Sequence, residues 1–498
     1  MVNEIVVDVQ LQETRVALLE DKELVEIYIE RPCAERLVGN IYRGRVSSVL
    51  PGMQAAFIDI GYEKNAFLYV GDAVSQREYS DDEDELYQEL RGHNIDEILR
   101  PGQEITVQVI KEPIGTKGPR VTTHITLPGR HLVLLPNADY VGVSRRIEND
   151  QERCKLKKIA EKIKPKGMGL IVRTVSEGKH EEDFSHDLNF LLKLWEKIKQ
   201  KEFSGPVPRC IHKDLNLIYR AVRDFFTRDV DKFVINDRQQ HSKVLELVEM
   251  ISPALKMKVE YFSKNYDLFE YYQIESKISK ALARKVWLKN GGYLVIDRTE
   301  ALTVIDVNTG KFVGASNLED TVLKTNLEAA KEIAKQLRLR DIGGIIVIDF
   351  IDMKEHEHQH MVLDTLKNSL KKDRTKTTVL GMTSLGLIEM TRKKVRQGLS
   401  SMMHIDCPYC DGTGKILSPE AVARNVEKEI KNYFSQTIAN AIQVEVHPTV
   451  AQVLTGMDGH NLAEMEKAYG KKIVIKASHE IKHEEMKIRE IDIDSLVC

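Results

Sequence analysis

The chain has 498 residues, 42% of them hydrophobic and 30% charged, with a formal net charge of −3. That composition excludes a collagen-like or wholly disordered chain, and at roughly 100–200 residues per domain it implies about three to five domains. The opening MVNEIVVDVQ lacks a basic segment followed by an apolar run, and no stretch reaches the ~18 consecutive apolar residues of a membrane span, so the expectation is a soluble cytoplasmic protein.

In chain order, residues 1–38 read as a strand meander (EIVVDVQ, TRVALLE, LVEIYIE), too short to hold a core without partners from later in the sequence. From Gly39 the pattern turns to short strands between frequent turns, GNIYRGRVSSVLPGMQAAFIDIGYEKNAFLYV, then ITVQVIKE and PRVTTHITL. This predicts a small five-stranded barrel of the OB type over 39–125. An acidic insert at 78–89, with SDDEDE at its centre, falls in one of its loops. Residues 126–215 read as a mixed unit, with strands HLVLLP and MGLIVRT and helices QERCKLKKIAEKIKP and HDLNFLLKLWEKIKQK. Residues 216–281 carry further strands and helices that complete the first sheet. Residues 282–403 hold a hairpin (GYLVIDRTEALTVIDVNTG), a long helix (LEDTVLKTNLEAAKEIAKQLRLRD), a strand (GGIIVIDFID) and a second helix, the order of an α/β layer. A knuckle at 404–415 precedes a small α+β unit at 416–498. The fold class expected is multidomain α+β.

The modest net charge hides a local asymmetry: residues 111–173 contain 14 Lys and Arg against 6 Asp and Glu. A segment of that kind attracts phosphate through counterion release. The barrel offers Phe57 and Phe67 for base stacking, with Lys111 and Lys117 as its charge. Core packing is the alternative for either ring. Arg145-Arg146 and Arg173-Thr174 are polar pairs; an Arg beside a Thr hydroxyl suits a terminal phosphate, although an isolated dipeptide is weak ground.

Asp306 ends the apolar run ALTVI and Asp349 ends GGIIVI. Apolar runs of that length between turn signals predict buried strands, so both carboxylates sit where such strands emerge. If the strands are neighbours, the carboxylates converge and repel unless a cation joins them. Magnesium prefers such hard oxygen ligands and keeps waters that it can activate against a phosphodiester. Asn308, two residues beyond Asp306, faces the same way in an extended chain. A turn-capping role remains the alternative for each of these residues. Asp352 is a nearby competitor for the metal.

Six cysteines are present, Cys33, Cys154, Cys210, Cys407, Cys410 and Cys498, and free thiols are expected in a large cytoplasmic chain. Only Cys407 and Cys410 are close together, in CPYCDGTG, where Gly412 and Gly414 permit a tight turn. The motif supplies two of the four ligands zinc requires. Two copies of the chain contributing two thiolates each would complete the site and link a dimer; two free thiols in a turn are the alternative. His356 and His360 in KEHEHQH have the i, i+4 spacing of a metal pair, yet their polar surroundings point to a solvated helix face.

The segments GNIYRGRV, AAFIDIG, GLIVRT, TNLEAAKEIAKQLRLRDIGGIIVIDFIDM and CPYCDGTG resemble those of the ribonuclease E/G family, and the resemblance extends over essentially the whole chain. The length is similar to that of members without a long disordered scaffold tail. The resemblance implies an RNase H-like block at 1–38 and 216–281, an RNA-binding barrel at 39–125 and a 5′-sensor domain at 126–215. It further implies a DNase I-like catalytic block at 282–403, a zinc link at 404–415 and a small C-terminal domain. Asp306 and Asp349 match the family's magnesium ligands, and Asn308 its supporting catalytic residue. Phe57, Phe67, Lys117 and, less closely, Lys111 match RNA contacts. Arg173 and Thr174, with Gly129, Val133 and Arg146, match the pocket that senses a 5′-monophosphate. Cys407 and Cys410 match a zinc site shared by two protomers. One departure is Leu385, where the family commonly has an aromatic residue. The implied activity is a magnesium-dependent cut of single-stranded, AU-rich mRNA and ribosomal RNA precursors, leaving 5′-phosphate and 3′-hydroxyl ends. A homodimer through zinc, or a homotetramer built on it, is the implied assembly. A non-catalytic zinc-linked RNA-binding scaffold and a DNA-directed nuclease are the competing readings.

Overall fold

The computed structural model describes residues 2–31, 36–73, 94–113, 117–144, 146–147, 149–310, 318–383, 385–456 and 459–492. Cys33, the acidic stretch at 78–89, Arg145 and Cys498 lie outside the described residues. The chain forms two compact units, Met1–Met402 and Met403–Cys498. The fold is multidomain α+β and contains a closed barrel.

The first unit opens with an antiparallel meander of β1 (Asn3–Val9), β2 (Thr14–Glu20) and β3 (Glu23–Glu30). Side chains of a strand alternate between faces, and here both faces are covered. Ile5, Val7, Val16 and Leu18 enter one core, while Val6, Ala17 and Leu19 enter another.

Five strands then close on themselves: β4 (Ile41–Leu50), β5 (Ala55–Asp59), β6 (Ala66–Tyr69), β7 (Glu104–Lys111) and β8 (Arg120–Thr122). Their order is β4-β5-β6-β8-β7, and β4 pairs with β7 to shut the barrel. The turn of β4 brings its backbone so near β5 that a Cβ on Gly44 would lie 2.7 Å from the Asp59 carbonyl oxygen.

The next sheet contains β9 (Leu127–Pro128), β10 (Leu132–Leu135), β11 (Val141–Val143) and β12 (Gly169–Val172), in the order β11-β12-β10-β9. Helices Asp150–Ile163 and Glu181–Glu202 pack on it through Leu156, Ala160, Phe184, Leu191 and Trp195. The first of these helices starts where the Asn149 side chain accepts hydrogen bonds from the N–H groups of Gln151 and Glu152. β13 (Arg209–His212) returns to the barrel and pairs with β4. β14 (Lys232–Ile235) and β15 (Val259–Tyr261) run parallel to β1, giving the first sheet the order β15-β14-β1-β2-β3.

The last sheet of this unit has the order β16-β17-β18-β19-β21-β20. Its strands are β16 (Lys285–Trp287), β17 (Tyr293–Arg298), β18 (Leu302–Asn308), β19 (Gly344–Asp349), β20 (Thr377–Met382) and β21 (Leu387–Arg392). A parallel pair needs a crossover, and helix Leu318–Leu339 supplies it between β18 and β19. That helix and His356–Leu370 pack on one face, where Ile305, Val307, Ile346 and Ile348 meet Ala330, Ile333, Val362 and Leu366.

The opposite face departs from expectation. The runs ALTVI and GGIIVI predict strands buried on both sides, yet Ile345 is 53% exposed and the burial of β18 alternates residue by residue. Both helices lie on one side of the sheet, so an apolar run marks a strand without requiring cover on its second face. This half-open face is the one that carries the acidic residues.

In the second unit, β22 (Ala441–Val446) pairs in parallel with β23 (Lys472–Ala477) and antiparallel with β24 (Met486–Glu490). Helices Pro419–Gln436 and Pro448–Thr455 bury Val426, Ile430, Val450 and Leu454 against this sheet. No helix among the described residues is long and apolar enough to cross a membrane.

Candidate active site

β18 and β19 lie side by side, and Asp306 is the register partner of Asp349. The pairing follows from equal spacing: in both strands the carboxylate follows an apolar run, and the residues that alternate with it, Ile305 and Val307 on β18 and Ile346 and Ile348 on β19, face the helices. Alternation therefore sends both aspartates to the half-open face. Asn308 follows on that face and donates from Nδ2 to Asp306 Oδ2 at 2.8 Å. This bond fixes one oxygen of the Asp306 carboxylate. Burial, then the charges of Asp306 and Asp352, hold the Asp349 carboxyl above its ordinary range. Among the described residues neither carboxylate has an ion-pair partner, and converging carboxylates of that kind are the donor set a hard divalent cation relieves, so these residues fit magnesium.

Asn326 is the positioning residue that sequence reading missed. It is fully buried on helix Leu318–Leu339, and its side chain holds the strand-exit loop at both backbone groups of Ile351. Nδ2 donates to the Ile351 carbonyl at 2.8 Å, and Oδ1 accepts from the Ile351 N–H at 3.1 Å. The clamp fixes the chain two residues beyond Asp349. The sequence signal was an amide amid the apolar positions of a long helix.

Another cluster lies where helices Leu318–Leu339 and His356–Leu370 begin. Donor atoms of Glu319, Glu355 and His358 fall within 4.8 Å of one another, a set able to hold a metal. Sequence reading considered His356 and His360, and both are exposed; the intervening His358 is the one turned inward.

On the barrel, a row crosses four strands. Phe57 pairs with Phe67, Phe67 with Arg120, and Arg120 with Lys111. The two rings are half-buried and meet edge to face at 6.1 Å. Arg120, which sequence reading passed over, is bound by Asp72, its Nε donating at 2.8 Å. Lys111 and Lys117 are exposed.

In the neighbouring sheet, Arg173 donates to the Gly129 carbonyl at 2.5 Å and to Asp224 Oδ1 at 2.8 Å. Thr174 Oγ1 is 2.8 Å from Ser144 Oγ. A Cβ at Gly129 would lie 2.5 Å from Asp187 Oδ2 and would displace a carboxylate that accepts from the N–H groups of Arg130, His131 and Leu132. Val133 is half-buried on β10, opposite Pro128 and Ile171. The Arg146 N–H donates to Ser144 Oγ at 3.4 Å, the hydroxyl that meets Thr174, while its guanidinium reaches the Asp373 carbonyl at 3.5 Å.

In the second unit, Cys407 and Cys410 are free thiols. N–H groups of Tyr409 and Cys410 point to the Cys407 sulfur and lower its thiol pKa from the ordinary value, and Gly414 N–H donates to Cys410 Sγ at 3.3 Å. Gly412 and Gly414 have φ of +83° and +68°, the turn that folds the chain back over the sulfurs. Two sulfurs three residues apart in a tight turn fit zinc, and the knuckle offers two of its four ligands.

Residues 126–395 match the Ribonuclease E/G family, and residues 406–491 match the family described as RNase E/G, Thioredoxin-like domain. The chain is 43% identical over 475 residues to Ribonuclease G of Salmonella typhimurium, covering 95% of this chain and 97% of that protein. It is 44% identical over 474 residues to Ribonuclease G of Haemophilus influenzae, covering 95% and 96%. Ribonuclease E of Escherichia coli is 40% identical over 448 residues, which span 88% of this chain and 41% of that protein.

Proposed function

The chain belongs to the ribonuclease E/G family and is an endoribonuclease of that type, and from this we propose that it hydrolyses single-stranded, AU-rich RNA with magnesium held by Asp306 and Asp349. The observation that carries the reading is the cross-strand register of those two carboxylates. Asn308 keeps the Asp306 carboxylate oriented, and the Asn326 clamp keeps the Asp349 strand end in place. Magnesium, when bound, supplies a Lewis acid for the phosphodiester and lowers the pKa of a water. In the hydrolysis the water oxygen bonds to phosphorus, the bond to the 3′ oxygen breaks, and that oxygen leaves as a hydroxyl. The fragments carry 5′-phosphate and 3′-hydroxyl ends, consistent with roles in ribosomal RNA maturation and mRNA decay in the cytoplasm.

The barrel row clamps the single strand through Phe57 and Phe67, with Lys111 and Lys117 toward its phosphates. Arg173 and Thr174, beside Gly129, form the sensor for a 5′-monophosphate, with Val133 and Arg146 at its margin. The order β15-β14-β1-β2-β3 supports an RNase H-like first block, and the mixed sheet that bears the aspartates supports a DNase I-like catalytic block.

The test compares single-stranded RNAs bearing a 5′-monophosphate or a 5′-hydroxyl, in Mg²⁺ and in EDTA. Internal cleavage that requires Mg²⁺ and runs faster on the monophosphate is expected; binding without cleavage would favour the scaffold reading. Because a charge-assisted hydrogen bond contributes roughly 1.5–3 kcal/mol, Arg173→Ala lowers the preference for the monophosphate by about tenfold or more and leaves cleavage of the 5′-hydroxyl RNA near the parental rate. An unchanged preference would remove the sensor role.

Cys407 and Cys410 bind zinc shared with a second copy of the chain, forming a homodimer on which a tetramer can be built. Cys407→Ser is expected to abolish zinc content and shift sedimentation from dimer to monomer. A zinc-free variant that remains dimeric would separate assembly from the metal.

A further inference from the structure

A second aromatic site lies on the same sheet face as the carboxylates. Trp287 on the edge strand β16 pairs with Tyr293 on β17, and Tyr293 pairs with Asn308 on β18. Register partners share a face, so the row Trp287–Tyr293–Asn308 runs across the sheet beside Asp306. Leu294 and Ile296, which alternate with Tyr293, point into the core, which confirms that the tyrosine faces outward. Tyr293 is diagonal to Asp306, a separation of about 7–8 Å.

The chemistry of this row is that of a nucleobase platform. Trp287 is 59% exposed. Its ring meets that of Tyr293 at 5.4 Å and 60°. Lys285 Nζ lies 4.2 Å from the centroid of Trp287 and 3.4 Å from that of Tyr293. Among the described residues, Lys285 has no carboxylate partner, so its charge is available to a phosphate.

The hairpin that carries the rings is braced. Asn290 Oδ1 accepts from the Gly292 N–H at 2.8 Å, Asn290 Nδ2 donates to Thr325 Oγ1 at 3.3 Å, and the Lys289 N–H donates to Glu328 Oε1 at 2.5 Å. A rigid aromatic surface with an uncompensated cation loses little freedom when a base stacks on it.

We infer that Trp287, supported by Tyr293 and Lys285, stacks a base of the RNA next to the scissile phosphodiester, a second stacking site separate from the barrel. The inference rests on the endoribonuclease reading of the Asp306–Asp349 site.

Two measurements on the full-length chain test it. The chain has two tryptophans, and Trp195 is only 5% exposed, so emission that responds to RNA reports on Trp287. Titration with a short single-stranded RNA in EDTA quenches this emission, and Trp287→Phe abolishes the change. In Mg²⁺, RNAs made abasic at one position at a time show a single position beside the cut whose loss slows cleavage by about tenfold. Trp287→Ala removes that sensitivity and Trp287→Phe, which keeps a ring, restores it. Parental cleavage with a flat abasic series and no quench overturns the platform. Emission that changes with protein concentration in the absence of RNA assigns the face to a second copy of the chain and also overturns it. Quenching with the same abasic dependence of binding, but no cleavage in Mg²⁺, would defeat the nuclease reading and leave the platform standing.

Discussion

Asp306→Asn and Asp349→Asn each reduce Mg²⁺-dependent cleavage of single-stranded RNA by about a thousandfold or more, which corresponds to about 4 kcal/mol of barrier. The size follows from the register. Asp306 and Asp349 are direct partners on adjacent strands, so under the proposed function one cation would be shared by both, and removal of either would leave a one-carboxylate site. The double variant is therefore expected to lose little beyond either single variant, since residues acting as a unit are non-additive. The substitution is nearly isosteric, and a side-chain oxygen at position 306 still accepts from Asn308. Binding of RNA in EDTA should thus stay at the parental level. Stability should not fall either: the Asp306 charge contributes to raising the Asp349 carboxyl, so its removal relieves a repulsion in the metal-free protein. Cleavage by the double variant near the parental rate, with the same Mg²⁺ requirement, would sink the assignment.

Asp373→Ala destabilises the first unit by about 3–5 kcal/mol, the cost of stranding a buried charge. Arg392, at the end of β21, is 4% exposed in its side chain and Asp373 is 2% exposed. The guanidinium donates from Nε to Asp373 Oδ2 at 2.8 Å, from Nη1 to Asp341 Oδ1 at 2.7 Å and to the Ile342 carbonyl at 2.9 Å, and from Nη2 to Thr375 Oγ1 at 3.2 Å and Asp373 Oδ1 at 3.4 Å. An arginine has five N–H donors, and all are engaged. Burial disfavours the charge, and the two carboxylates more than offset it, since the Arg392 pKa is raised. The alanine variant removes two of those acceptors and leaves the guanidinium short of charge. Arg392 is also the register partner of Gly344, the first residue of β19, so loosening this network disturbs the strand that ends in Asp349. Denaturant unfolding measures the loss, with a modest fall in cleavage rate alongside it. A midpoint unchanged from the parent would mean that water reaches the Arg392 site.

Much of the catalytic sheet was legible because its elements have strong local signals. The run ALTVI before Asp306 and the run GGIIVI before Asp349 announce strands, and the long apolar periodicity of TNLEAAKEIAKQLRLRD announces a helix that extends over Leu318–Leu339. The supporting residues have no such signal. Asn326 reads as an ordinary amide in a helix until Ile351 is seen beside it. Trp287 reads as a lone aromatic until the pairing of β16 with β17 places it beside Tyr293. His358 differs from His356 and His360 only in which way the helix turns it.

The sequence by itself determined where the strands and helices lie, which acidic and thiol residues are available for chemistry, and to which family the residues are similar. These are properties of a few neighbouring positions: periodicity, turn residues and ligand spacing act over one element at a time. Only the tertiary structure decided that β18 and β19 are neighbours with Asp306 opposite Asp349, and that the helices cover one face and leave the other half-open. It also decided that the strands expected to complete the N-terminal sheet, Lys232–Ile235 and Val259–Tyr261, join it in parallel beside β1. Register and layer order depend on contacts between residues distant in the chain, where a shift of one residue would turn each carboxylate into the core, and no local pattern encodes which strand will be the neighbour.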